Sequence, residues 1–182
     1  KNCWMTIGVS QPMLLSSSMS YILNCSSILI LGIYLSAHDV GVYNLAAKIS
    51  MVTSIGLFSI NSISAPKISE YFTNNDMMNF NKIIFQTSRM IFWFSLPLLI
   101  LLIVFSDFFL SIFGDEFIEA KIILIILCVG QFVNSISGSV GYILQMTGKH
   151  YVFQNIMIFA TFLNIVLNFI LIPKYGILGA AI

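Results

Sequence analysis

The sequence predicts an all-α, polytopic membrane protein. Three observations carry that prediction: long runs without charge, an extreme apolar composition, and turn signals placed between the runs. No Asp, Glu, Lys or Arg occurs between Lys1 and Asp39. Comparable gaps separate Lys48 from Lys67, Arg89 from Asp107, Lys121 from Lys149, and Lys149 from Lys174. Each gap is filled with Ile, Leu, Phe, Val and Met and approaches the ~20 residues that an α-helix needs to cross a bilayer core. The chain is 58% hydrophobic and 8% charged, with a mean hydropathy of +0.97, whereas soluble domains carry about a quarter charged residues. A net charge of +1 implies neither a basic nucleic-acid surface nor an acidic tail.

Five spans are predicted, at about 12–36, 42–64, 90–109, 122–146 and 152–172, with a sixth beginning near Gly176. Turn signals close each one: His38-Asp39-Val40-Gly41, Ala65-Pro66-Lys67, Phe113-Gly114-Asp115, Thr147-Gly148-Lys149 and Pro173-Lys174-Tyr175-Gly176. Pro97 falls inside the third span, where it removes one backbone bond and predicts a kink. Between the second and third spans, Asn74-Asn75-Asp76 is a helix start, and Met77, Phe80 and Ile84 recur at helical spacing. Residues 76–88 therefore read as an amphipathic segment lying in the cytoplasmic interface.

Basic residues alternate between the loops. Lys1, Lys67, Lys82, Arg89 and Lys149 fall on one side, which is assigned to the cytoplasm. The other side holds Lys121 and Lys174 with Asp39, Asp107, Asp115, Glu116 and Glu119. The chain opens with Lys1 and stops at Ile182 inside a new apolar run, so it reads as a piece of a longer protein.

Helical spacing gathers polar residues into stripes. The first span aligns Ser17, Tyr21, Asn24 and Ser27, and the second aligns Ser50, Ser54 and Asn61. The fourth aligns Gln131, Asn134, Gly138, Gly141 and Gln145, and the fifth aligns Gln154, Thr161, Asn164 and Asn168. The third has little beyond Ser95 and is expected to face lipid. Helix packing accounts for Ser137, Gly138 and Gly141. Amides cost more to bury in lipid, so four amide-bearing helices fit either interhelical bonding or a shared polar cavity. The pathway candidates are Asn24, Lys48, Asn61, Gln131, Asn134, Asn164 and Asn168. Lys48 is the only cation inside a span, but it lies near one membrane surface and across the helix from the Ser50/Ser54/Asn61 stripe, so its stem can snorkel outward.

No catalytic constellation is present: His38 and His150 fall in loops on opposite sides, and no HExxH, P-loop or Ser/His/Asp pattern occurs. Asp115, Glu116 and Glu119 read as a solvated acidic edge. Cys3, Cys25 and Cys128 lack metal or redox spacing and read as free thiols. No cofactor or metal is expected.

Several segments resemble Wzx-type polysaccharide flippases, the O-antigen transporters of the MATE-like exporter superfamily. They are Asp39-Val40-Gly41-Val42-Tyr43-Asn44-Leu45-Ala46-Ala47-Lys48-Ile49, Ala65-Pro66-Lys67-Ile68, Phe113-Gly114-Asp115-Glu116-Phe117, Gln145-Met146-Thr147-Gly148-Lys149, and the tail from Leu163-Asn164 through Leu167-Asn168 and Ile172-Pro173-Lys174-Tyr175-Gly176 to Gly179-Ala180-Ala181. The resemblance implies two six-helix bundles, with this chain as most of the second and its helices matching spans seven to eleven. It implies a multi-pass protein of the bacterial inner membrane that moves undecaprenyl-diphosphate-linked oligosaccharide repeat units from the cytoplasmic to the periplasmic leaflet by alternating access. Its partners would be the lipid-linked substrate, membrane lipids, the other bundle of the same chain, and other polysaccharide-assembly proteins. A lipid II flippase or a multidrug exporter of the superfamily is the near alternative. A membrane-embedded polymerase is the distant one, because the outer loops are short.

Overall fold

The computed structural model describes residues 2–137 and 139–181, with side chains described from Ser10 onward. Lys1, Gly138 and Ile182, which figured in the loop-charge, stripe and chain-end expectations, lie outside the described residues, as does the Cys3 side chain. The described chain is helical and contains no strand. Its elements are α1 (Asn2–Tyr34), α2 (Ala37–Ser50), a 3-10 segment (Met51–Ser54), α3 (Ile55–Thr73), α4 (Met77–Val104) and α5 (Ser106–Ser111). A second 3-10 segment (Asp115–Ala120), α6 (Lys121–Ser137), α7 (Ser139–Met146), α8 (His150–Tyr175) and α9 (Ile177–Ala181) follow. Among the described residues, four helical stretches are long and apolar enough to cross a membrane: Ser10–Tyr34, Ala37–Thr73, Met77–Val104 and His150–Tyr175. Their large side chains, such as Trp93, Val104, Phe159 and Phe162, stand more than half exposed. Lipid accommodates such a surface, whereas water would make it an association hazard. The protein is a polytopic membrane protein.

The chain divides into two compact units: residues up to Val40 with Gly148–Ala180, and Gly41–Thr147. In the first unit, α1 and α8 lie side by side. Thr161 meets Met19 and Asn168 meets Ser27, so the sequence offset stays nearly constant and the helices run parallel. The buried face of α1 is Pro12, Ser16, Ser26, Ser27, Ile30 and Leu31. α8 continues through Pro173 and ends at Gly176, whose φ of 59° suits glycine and whose N–H reaches Ile172 O at 2.8 Å. The backbone then folds so tightly that Gly179 sits against the carbonyl of Leu171, leaving no room for a Cβ.

In the second unit, α3 and α4 form an antiparallel hairpin that pairs Ser64 with Thr87 and Gly56 with Phe94. α6 runs parallel to the 3-10 segment and α7 to α3, since Ser54 meets Gln131 of α6 and Asn61 meets Ser139 of α7. Phe92 of α4 and Phe132 of α6 pack with tilted rings, 5.7 Å between centroids. The core comprises Val42, Ala46, Leu57, Ile68, Ile91, Leu102, Leu124 and Cys128.

Five sequence expectations are corrected here. The break after the first span falls at Leu35–Ser36, and His38–Gly41 already lie in α2. Ser36 and Asp39 form a reciprocal cap: the Ser36 hydroxyl and N–H donate to the Asp39 carboxylate at 2.7 and 3.1 Å, and Asp39 N–H donates back to Ser36 Oγ at 3.3 Å. Ala65-Pro66-Lys67 does not end a helix: α3 runs through Pro66 to Thr73, because Ser64, Ala65 and Ile68 keep burying its packed face. Residues 76–88 do not form a separate segment but the first turns of α4, which continues unbroken through Pro97. That helix is not a plain lipid-facing span. It packs on both α3 and α6, burying Thr87, Ile91, Ser95 and Leu102 on one side while Trp93, Phe94, Ile100 and Val104 stay exposed. The region expected at 122–146 consists of α6 and α7 on either side of residue 138.

Candidate functional site

The seven pathway candidates fall into three groups by exposure. Asn61 and Asn168 are buried, with exposures of 1% and 4%, while Gln131 and Asn164 are half-buried. Asn24, Lys48 and Asn134 are exposed.

In the first unit, the Ser26 hydroxyl donates to Asn164 Oδ1 at 2.7 Å. The Asn168 amide donates to that same oxygen at 2.9 Å, to Ser27 Oγ at 3.2 Å and to Asn164 O at 3.0 Å. Thr161 Oγ1 adds a bond to Met19 O at 3.3 Å. One amide oxygen thus accepts from both helices, and the α1–α8 contact is sealed by a closed network. Asn24, two residues before Ser26, donates to Ser20 O of its own helix at 2.7 Å, which leaves its carbonyl oxygen at the exposed surface. Tyr21 is also exposed.

The second unit has its own seam. Ser54 donates to Gln131 Oε1 at 2.7 Å, Asn134 Nδ2 approaches the same oxygen at 3.5 Å, and Ser139 donates to Asn61 Oδ1 at 3.4 Å. Asn61 Nδ2, Ser95 Oγ and Ser135 Oγ are buried without a partner. Lys48 stands exposed on α2 while Ser50 is buried on the side turned away from it, as helical spacing predicts. Lys121 and Asp107 form an ion pair of 2.6 Å at 45% and 57% exposure, which contributes at most about 1 kcal/mol.

Ser26, Ser64, Thr87 and Ser139, partners in these bonds, were not singled out in the sequence. Serines at 16, 17, 18, 20, 26 and 27 fall on several sides of α1, so composition offers no way to choose among them. A Ser at the level of an amide on the neighbouring helix was the missing signal, and it requires the helix register. Among the described residues, no group of three or more His, Cys, Asp or Glu could hold a metal.

A parallel-paired, multi-span helical protein with buried amides between its helices defines a class of polytopic membrane proteins, and the comparisons narrow it. Residues 12–170 match the MatE family, and the chain belongs to it. It is 28% identical, over 183 aligned positions covering 100% of this chain and 39% of the relative, to a probable low-salt glycan biosynthesis flippase, Agl15, of Haloferax volcanii. It is 29% identical, over 149 positions covering 80% of this chain and 37% of the relative, to the capsular polysaccharide biosynthesis protein CapF of Staphylococcus aureus. The chain thus spans about two fifths of the length of these relatives. No solved structure matches.

Proposed function

We propose that this chain is part of a flippase that carries lipid-linked glycan units across the cytoplasmic membrane. The alignment of the whole chain with a relative named as a glycan biosynthesis flippase supports this reading above all else. In a bacterial host the cargo would be an oligosaccharide on undecaprenyl diphosphate, moved from the cytoplasmic to the outer leaflet by alternating access of two helical bundles. Such a cargo presents many hydroxyls and few sites that need a charge. The exposed amides Asn24 and Asn134 and the half-buried Gln131 and Asn164 suit it, since each offers a hydrogen bond that a passing hydroxyl can exchange. Lys48, the exposed cation of α2, would meet the diphosphate. Asn61 and Asn168 would hold helices together behind those groups.

The test is transport in a deletion strain complemented with single variants of the full-length protein. Loss of the gene should stop surface glycan and leave the lipid-linked unit on the cytoplasmic leaflet. Cysteine at positions 24 and 134 should react with a water-soluble thiol reagent in intact membranes and be protected by the cargo. Surface glycan persisting at normal levels in the deletion strain would refute the reading.

A further inference from the structure

We propose that the groove between α3 and α4 binds the phosphate headgroup of an anionic phospholipid, a resident lipid distinct from any transported cargo. The groove is a cavity of about 170 Å³, with room for roughly five waters' share of liquid volume. Ile60 and Ile63 of α3 and Ile83 and Met90 of α4 form its walls, and Lys67 and Gln86 form its rim. Its floor is the Ser64–Thr87 pair, where Thr87 Oγ1 donates to Ser64 Oγ at 3.0 Å. Ser64 accepts that bond, so its own hydroxyl hydrogen is left to donate to an incoming oxygen.

The level of the groove along the hairpin sets what can fill it. Lys67 lies seven residues before Asn74 and Lys82 six after Asp76, so both stand about 10 Å from the turn at 1.5 Å per residue. Between them and the turn the hairpin mixes polar residues, Thr73, Asn74, Asn75, Asn79 and Asn81, with the apolar Phe72, Met77, Met78 and Phe80, an amphipathic composition suited to the membrane interface. From Arg89 to Asp107 no charge occurs, a stretch of about 27 Å if helical, close to the ~30 Å of a hydrocarbon core. The cavity therefore straddles the boundary where a phosphate meets its acyl chains.

Charge agrees with an anion. Lys82, Gln86 and Arg89 fall within one narrow stripe of α4 at helical spacing, and Lys67 faces the cavity from α3. None of the three basic side chains is engaged in an ion pair. Of the two nearby carboxylates, Asp76 is committed to Asn79 at the start of α4, and Glu70 stands exposed one turn beyond Lys67. A basic rim over apolar walls with a hydroxyl floor matches an acylated phosphate better than a free ion, which has nothing to place against four aliphatic side chains.

This inference does not rest on the transport reading, because a resident lipid would bind whatever the cargo. Delipidated full-length protein would be offered phosphatidylglycerol or phosphatidylcholine with identical acyl chains, and retention read by native mass spectrometry. Phosphatidylglycerol should be retained preferentially. Lys67→Ala should weaken it about fivefold, the equivalent of about 1 kcal/mol per basic residue, while Lys174→Ala should leave it unchanged. Ile63→Trp, which fills the groove and keeps the charge, should abolish the preference outright, and Lys67→Arg should retain it. Equal retention of the two lipids, or equal effects of the Lys67 and Lys174 variants, would overturn the proposal. Displacement by inorganic phosphate or polyprenyl phosphate at equal concentration would overturn it as well.

Discussion

Asn168 in the first unit and Asn61 in the second are both asparagines on the packed face of a long apolar helix, with exposures of 4% and 1%. Their surroundings differ. Asn168 Nδ2 finds three acceptors within 3.2 Å, whereas Asn61 Nδ2 finds none and its oxygen receives one long bond of 3.4 Å. The first unit pairs two parallel helices in which amide and hydroxyl stand at the same level, so direct bonds close. In the second, α3 must serve both α4 and α7, and the Ser95 and Ser135 hydroxyls are likewise buried without a partner. Burial alone therefore does not measure what an amide contributes. The number of bonds it closes does, since an unmade bond carries the desolvation cost without the return.

Substitutions can break or sharpen this contrast. The largest effect is expected where backbone meets backbone. Gly179→Ala drives a Cβ into the Leu171 carbonyl and should cost roughly 3 kcal/mol or prevent folding, while Gly56→Ala, which meets only the Phe94 ring, should cost about 1 kcal/mol as the ring turns aside. Thermal unfolding in micelles would rank the two, and the reverse order would place the rigid contact in the second unit.

Next come the amides themselves. Asn168→Leu should lower stability by about 1–2 kcal/mol, because it leaves Ser27 without its donor and Asn164 Oδ1 with Ser26 alone. Asn61→Leu should cost less than about 0.5 kcal/mol or stabilise, because it removes an unsatisfied donor. Equal losses in denaturant unfolding would dissolve the distinction. Ser54→Ala, which breaks a single bond to Gln131, should fall between them at about 0.6 kcal/mol.

The smallest effect concerns the hairpin turn of the second unit. The Asp76 carboxylate is held below the usual range by the Asn79 side-chain amide and then by the Asn79 backbone N–H. A depressed folded pKa contributes stability that is present above the ordinary carboxylate value of about 3.9 and is lost as pH falls through the lower folded value. The capped turn should therefore be insensitive to pH above about 4. A carbon-detected titration of Asp76 with a midpoint above that of free aspartate would contradict this.

The sequence made the helices legible wherever charge gaps and apolar content act over many residues, and it placed Ser50, Ser54 and Asn61 on one face, all of which are buried. It misread Pro66 because a local breaker signal competes with packing that only tertiary neighbours supply, here Ser64 and Ile68 against the hairpin partner. It split α4 in two because the change from amphipathic to apolar pattern near Arg89 looks like a boundary, while the backbone ladder is indifferent to what the side chains face. The Ser36–Asp39 cap was hidden by its chemistry, since Asp stands where the usual box has Glu or Gln. The hydrogen-bonded partners of the candidate amides were not readable, because facing positions depend on the offset between helices.

The continuity of α4 has one more consequence. Because charged and uncharged lengths share a single rod of 28 residues, about 42 Å long, the helix acts as a ruler laid across the bilayer. Arg89 is its lower mark, and the break at Phe105, just before Asp107, is its upper one. A bilayer of different thickness cannot slide one mark without the other. It must tilt the whole rod or bend it at Pro97, where the ladder already lacks a bond. Membrane thickness is thereby converted into an angle at a single residue.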